Sequence, residues 1–272
     1  MPAAPTILFV GDVVGGLGRR TLLGLLPALR ERYAPTFVVV NAENIAGGLG
    51  ITPKLADEVL AAGVDAITLG NHTYRRAEIN AYLDSGKPIV RPANYLTTQP
   101  GRGAVIVERD GVRLGVVNLS GNVFLRAGRV AFLEVDAVLA ELEGKVDHIL
   151  VDMHAEATSE KVAMGWHLDG RVTAVVGTHT HVPTADLRIL PGGTAYITDV
   201  GMTGPRGGVI GVKKEQAIAS LRTHMNVRFE TSDEDPWLMG VVIRAADRPL
   251  RAAAIEQVLE PWRPAPPAAA RS

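Results

Sequence analysis

The chain has 272 residues, 47% of them hydrophobic, and 28 Lys and Arg stand against 29 Asp and Glu for a formal net charge of -1. That balance excludes a broad electrostatic surface for duplex nucleic acid or anionic lipid, while leaving room for a local basic pocket that takes one phosphate. With no cysteine, a disulfide framework, a thiolate zinc site and cysteine nucleophilic chemistry are excluded, so metal ligands must be His, carboxylate or amide oxygen.

The first residues, MPAAPTILFVGD, have no basic region, and their apolar run is too short for a signal peptide or a membrane span, which points to a cytoplasmic protein. TILFV then leads through GDVVGGLG into a helix with apolar residues at Leu22, Leu23, Leu25, Leu26 and Leu29. FVVV leads into a second helix, with Thr52 as N-cap and Pro53 at its first position. AITLG precedes a third helix near Ala77 to Leu83, and GAVIVERDGVRLGVVNL reads as two strands around an Asp110-Gly111 turn. The second half repeats the pattern: helix VDAVLAELEG, strand HILVDMH, helix SEKVAMGWHL, strand VTAVVG, and a hairpin of ADLRIL and TAYITDV around Pro191-Gly192-Gly193. A helix near Glu215 to Arg222 and a final strand GVVIRAA follow. The alternation is that of an α/β protein with a mixed sheet, and no linker divides it. Residues 1–260 are therefore expected as one domain with a large core, and 261–272, the Pro/Ala-rich tail PWRPAPPAAARS, as disordered or loosely packed.

Polar residues with lone pairs close five of the apolar runs. TILFVGD ends in Asp12, FVVVNAEN in Glu43 and Asn44, AITLGNH in Asn71 and His72, HILVDMH in His154, and VTAVVGTHTH in His179 and His181. Five strands would thus deliver ligands to one edge of a sheet, which packing alone does not require. An isolated His-x-His pair reads as two surface histidines; at a strand end, extended backbone would point both to one face as metal ligands. Asp12 alone reads as a turn former, but its flanking glycines leave the carboxylate open to a cation. Glu43 is placed to bridge two cations with its two oxygens, with the amide oxygen of Asn44 beside it. In extended backbone Asn71 and His72 diverge, Asn71 toward metal and His72 toward substrate, where an imidazole near its ordinary pKa of about 6.5 supplies a proton to a leaving alkoxide. Thr158 or Ser159 is a candidate cap for the helix after His154. Asp152, Glu156 and Asp199 are candidates to orient histidine ligands, whereas His148, His167 and His224 lack matching neighbours and read as structural or surface residues.

This order of motifs resembles the calcineurin-like metallophosphoesterase superfamily from Thr6 to about Met202. More narrowly, GDVVG, NAENIAGGLG, GNH, MHAEATSEK, GTHTHVPTAD and YITDVGMTGP resemble the bacterial YmdB-like branch, a group of 2',3'-cyclic-nucleotide phosphodiesterases. Three departures from the broader superfamily stand out. Asp12 is followed by Val13-Val14 rather than the histidine of Asp-x-His, so Asn44 takes its place; the bridging acid is Glu43 rather than aspartate; and Thr73 rather than an acid follows GNH.

The resemblance implies a four-layer α-β-β-α sandwich with two mixed central sheets and a two-metal centre. Asp12, Glu43, Asn44 and His181 would hold one metal, and Glu43, Asn71, His154 and His179 the other. It further implies hydrolysis of a 2',3'-cyclic nucleotide such as 2',3'-cyclic AMP to the 3'-nucleotide, by a hydroxide held between two cations about 3.5–4 Å apart, with His72 protonating the departing 2'-oxygen. Iron is favoured by the resemblance, and mixed imidazole and oxygen ligands also suit manganese or zinc. Aromatic residues at 5% give little sign of a stacking platform for long single strands, so a small phosphodiester is the expected partner. A homo-oligomer is left open. The alternatives on the same residues are another phosphohydrolase, a phosphoprotein phosphatase or nuclease, and a regulatory nucleotide-sensing module.

Overall fold

A computed structural model describes residues 4–263. The elements in order are β1 (Thr6–Val10), α1 (Gly15–Tyr33), β2 (Phe37–Asn41), α2 (Pro53–Ala61), β3 (Ala66–Thr68), α3 (Ile79–Leu83), β4 (Ile89–Val90), β5 (Ala104–Arg109), β6 (Val112–Ser120), α4 (Ala131–Leu142), β7 (His148–His154), α5 (Thr158–Leu168), β8 (Ala174–Thr178), β9 (Arg188–Ile189), β10 (Ala195–Ile197), β11 (Gly204–Pro205), α6 (Lys214–Thr223), β12 (Pro236–Ala245) and β13 (Ala252–Pro261). Among the described residues they build two mixed sheets. The first runs β11-β12-β1-β2-β3-β4 with β13 also on β12, and the second runs β5-β6-β7-β8-β10-β9. Within them β1, β2, β3 and β4 are parallel, as are β6, β7, β8 and β10.

Side-chain alternation along the strands explains the layers. In β1, Ile7 and Phe9 face the second sheet, whereas Leu8 and Val10 face the helices. In β7, Leu150 faces the first sheet, and Ile149, Val151 and Met153 face α4 and α5. Three cores result: helix against first sheet, sheet against sheet, and second sheet against helix, which is the four-layer sandwich. Each large apolar side chain so buried contributes about 1.5–3 kcal/mol. Helix α1 supplies the outer layer with Leu22, Leu26 and Leu29 at turn spacing. Its Pro27 is on the exposed side, and it ends at Ala34, whose left-handed backbone lets its N–H donate to the Arg30 carbonyl.

Several local expectations hold. Thr52 caps α2 by accepting from the Leu55 N–H, and Asp110 and Gly111 both take positive φ between β5 and β6. Others are corrected. Helix α5 begins at Thr158 itself, with Ala157 as N-cap and no side-chain cap, so neither Thr158 nor Ser159 caps it. GVVIRAA is not the last strand: β12 turns back into β13, antiparallel to it. AAAIEQVLEP is rich in Ala, Glu and Gln, which favour helix in isolation, but pairing with β12 overrides that preference. The start of the expected loose tail is ordered, because Pro261 closes β13 and the Trp262 N–H donates to the Pro236 carbonyl. The Trp262 ring also packs over Gly24, where an added Cβ would stand 2.5 Å from its Nε1. The remainder of that tail lies outside the described residues. No helix among them is long and apolar enough to cross a membrane.

Candidate metal centre

The parallel strands β1, β2 and β3 in one sheet and β7 and β8 in the other all end on the same side, where loops after strand ends commonly build ligand sites. The expected single sheet edge is therefore corrected to a seam between two sheets. All eight candidate residues join in one network of contacts there. Glu43, fully buried, accepts from the His72 N–H at 2.9 Å through Oε2, while Oε1 lies 3.1 Å from His154 Nε2 and 3.3 Å from Asn44 Nδ2. Asn71 Oδ1 lies 2.9 Å from the same His154 nitrogen. Asp12 Oδ2 accepts from the His179 N–H at 3.1 Å, and Asp12 Oδ1 lies 3.8 Å from His181 Nε2. Potential ligand atoms of Glu43, His154 and His179 all fall within 4.8 Å of one another.

Two backbone expectations need correction. His179 and His181 are not in extended backbone; both take left-handed φ, 93° and 64°, and they serve different neighbours. The His179 ring packs edge-on against His154 with centroids 4.8 Å apart and its Nε2 meets Glu156 at 3.0 Å, whereas His181 turns toward Asp12 and Asn44. Asn71 and His72 lie in a turn, not a strand, although their side chains do diverge, Asn71 to His154 and His72 to Asn44. His148 bonds Thr173, His167 bonds Asp136 and His224 ends α6, all outside this network.

Hydrogen-bond partners fix which imidazole nitrogens face the cavity. Thr178 donates its one hydroxyl proton to Asp152 Oδ1 at 2.7 Å, so it accepts from His154 Nδ1 at 2.9 Å and leaves Nε2 toward Glu43 and Asn71. His181 Nδ1 donates to the Ile210 carbonyl at 2.8 Å, leaving Nε2 toward Asp12. His72 Nδ1 donates to Asn44 Oδ1 at 2.7 Å, leaving Nε2 free.

The donor set fits cations. Asp12 Oδ1 is buried without a hydrogen-bond donor, an arrangement that costs about 1–3 kcal/mol unless something positive faces it. It and His181 Nε2 are two acceptors 3.8 Å apart, too far for a hydrogen bond. Ligands that share a cation at about 2.0–2.2 Å lie within about 4.4 Å of each other. Gly70 is required for the cradle: an added Cβ would stand 2.4 Å from His154 Nε2 and 2.5 Å from Glu43 Oε2.

Charge is distributed unevenly. Burial pushes the Asp12 carboxyl up. Burial would raise Glu43 as well, but the charges and hydrogen bonds of His154 and His72 prevail and hold it low. His154 is the converse, raised by Glu43, Asp12 and Asp152 against its burial. His179 is pushed down to about 3, by burial and then by His154, which keeps it neutral as a ligand must be. His72 is also held below its ordinary value, first by burial, with Glu43 opposing. Asn41, part of the NAEN string but given no role from sequence, and Thr68 and Thr178, which the sequence did not mark, converge from both sheets on Asp152 at 3.0, 2.5 and 2.7 Å. Burial nonetheless raises that carboxyl to about 6.

A cleft of about 350 Å³ opens over Glu43, Asn44, His72, His179 and His181, and Ile210, Leu221 and Phe229 form an apolar wall. A larger pocket, about 470 Å³, shares His181 and Ile210 with it but is otherwise apolar apart from Arg206, whose guanidinium stacks 4.5 Å over Trp237. Glu43, His72 and His179 line the smaller cleft and not the larger one.

Similar proteins share the sequence and the fold over nearly the whole chain. The family model described as YmdB-like protein matches residues 8–258. A Bacillus subtilis (strain 168) protein named 2',3'-cyclic-nucleotide 2'-phosphodiesterase is 47% identical over 253 residues, 93% of this chain and 96% of that protein. A crystal structure described as a novel phosphatase from Mycoplasma pneumoniae superimposes with TM-score 0.89 at 35% identity, over 96% of this chain and 95% of the other. A hypothetical protein from Thermus thermophilus does so with TM-score 0.88 at 39% identity, over 94% and 99%. With a family model matching residues 8–258 and a relative 47% identical over 93% of the chain, the chain belongs to the YmdB-like protein family.

Proposed function

We propose that this chain is a cytoplasmic two-metal phosphodiesterase that opens 2',3'-cyclic nucleotides to 3'-nucleotides. The observation that carries the reading is the buried carboxylate of Glu43, met by His72 from one sheet and His154 from the other, beside an Asp12 oxygen that lacks a donor. The name of the B. subtilis relative supports the substrate class. In this reading Asp12, Glu43, Asn44 and His181 hold one cation, and Glu43, Asn71, His154 and His179 the other. The Asn44 oxygen has two lone pairs, one of them taken by His72 Nδ1. Iron is favoured by the family resemblance, and the nitrogen and oxygen donors also accept manganese or zinc. When bound, the cations would supply Lewis acidity and an activated water.

The chain's own residues then do three things. The apolar wall of the cleft excludes water around the ester. Asn44 orients His72 through Nδ1, so that Nε2 meets the departing 2'-oxygen. His72 delivers a proton from Nε2, and because burial holds its pKa below the usual value, the charged form is a minority near neutral pH. The His72-dependent rate should therefore rise as pH falls toward that pKa.

The test is product analysis with metal-loaded protein and 2',3'-cyclic AMP. The reading requires 3'-AMP as product. No turnover of the cyclic substrate, with hydrolysis of a phosphomonoester instead, would favour a phosphatase on the same site, in line with the description of the M. pneumoniae relative.

A further inference from the structure

Three sequence strings, MHAEATSEK, GTHTHVPTAD and YITDVGMTGP, hold more polar residues than the proposed ligand set uses. One residue from each meets at a single buried point. Lys161, on α5, donates from Nζ to Asp199 Oδ2 at 2.7 Å, and both side chains are fully buried. The same oxygen accepts from Thr180 Oγ1 at 2.6 Å and from the Thr180 N–H at 3.2 Å, and Asp199 Oδ1 accepts from the Gly201 N–H at 2.8 Å. The lysine stem crosses Gly177, where an added Cβ would stand 2.9 Å from Lys161 Cδ and 1.7 Å from the Thr198 carbonyl oxygen. The close approach is built into the chain.

Thr180 is the residue between His179 and His181. Each of those histidines has a left-handed φ that an L side chain resists by roughly 1–2 kcal/mol. Such backbone persists only where its surroundings hold it. His179 is braced through its N–H to Asp12 and His181 through its ring to Ile210, but neither contact holds the peptide between them. Asp199 does, by gripping the Thr180 backbone and hydroxyl together. A carboxylate in so dry a place needs a cation beside it, because an unpaired buried charge is strongly destabilising.

We propose that Asp199 is the positioning residue for both loop histidines, acting through Thr180, and that Lys161 is the fixed cation that keeps it there. The clamp turns His179 toward His154 and His181 toward Asp12, so one loop serves two positions. The inference rests on the metal-site reading of those histidines.

The informative variant is Thr180→Val, nearly the same shape without the hydroxyl donor and with the buried pair intact. Mn²⁺ affinity of the metal-free protein, measured by chelator competition, should fall by about 10–100-fold, the range for loss of a group that orients a ligand. Thr180→Ser should restore it. Amide hydrogen exchange at His179 and His181 in the metal-free protein should quicken in Thr180→Val and not in Thr180→Ser. Unchanged Mn²⁺ affinity with unchanged exchange would overturn the clamp, as would a lowered melting temperature with affinity and exchange both intact. If the wild type binds no Mn²⁺, the metal reading falls, and the exchange measurement still decides the clamp.

Discussion

The two sheets bring different chemistry to the same seam. Loops after β1, β2 and β3 contribute Asp12, Glu43, Asn44, Asn71 and His72, four of them oxygen donors, and the first two are fully buried. Strand β7 and the loop after β8 contribute imidazoles alone, His154, His179 and His181. The first sheet supplies carboxylate and amide oxygens and the second supplies imidazole nitrogens, so in the proposed reading neither holds a site by itself. In the proposed reading, ligand spacing is set by the core between the sheets, where Ile7, Phe9 and Phe37 pack with Leu114, Val116 and Leu150. The sandwich is part of the chemistry as well as its support.

The largest effect should come from removing the residue both sheets share. Glu43→Ala should lose both metals, read by metal analysis on the purified variant, and reduce turnover by more than the ~10–100-fold caused by loss of a group that only orients a ligand. Retention of two tightly held ions in Glu43→Ala would break the comparison. His72→Ala is expected to keep its metals and to slow the reaction by about 10²–10⁴-fold, most of all with poor leaving groups. Its pH–rate profile should also lack the limb that declines toward alkaline pH in the wild type, because the group lost is one whose charged form disappears above a lowered pKa.

Gly70 lies where the sheets touch, and Gly70→Ala sharpens the point. Overpacking of a close contact costs about 1–3 kcal/mol, so a fall in melting temperature of several degrees together with weaker metal binding is expected. A fall in stability with metal affinity unaltered would mean that the sheets set ligand spacing less strictly than proposed. The smallest effect concerns pH. His154 has a raised pKa and thus carries a proton near neutrality that a cation must displace. Apparent metal affinity should weaken as pH falls, by about tenfold per unit for each proton released. Calorimetry in two buffers of different ionisation enthalpy would measure that proton, and its absence would contradict the His154 assignment.

Much of this was legible in the chain itself. Strand ends at Asp12, Glu43, His154 and the His-x-His pair, the Thr52-Pro53 helix start and the Asp110-Gly111 turn depend on local chemistry, which a sequence carries directly. The seam does not. The apolar runs TILFV and HILVDMH mark β1 and β7 as buried strands, but do not show that they lie in two sheets facing each other, so from sequence the five runs read as one edge. The left-handed His179 and His181 were invisible because tertiary contacts from Asp12, Asp199 and Ile210 hold a backbone that propensity disfavours. Strand β13 was hidden by its helix-favouring composition and appears only through pairing with β12.

The most direct test of the central claim is anomalous diffraction from crystals of the metal-loaded protein, recorded at the edge of the metal supplied. Two ions, one on each side of Glu43, with His181 and Asp12 at one and His154 and His179 at the other, is the result expected. A single ion, or two ions held by groups from one sheet alone, would contradict a centre assembled across the seam.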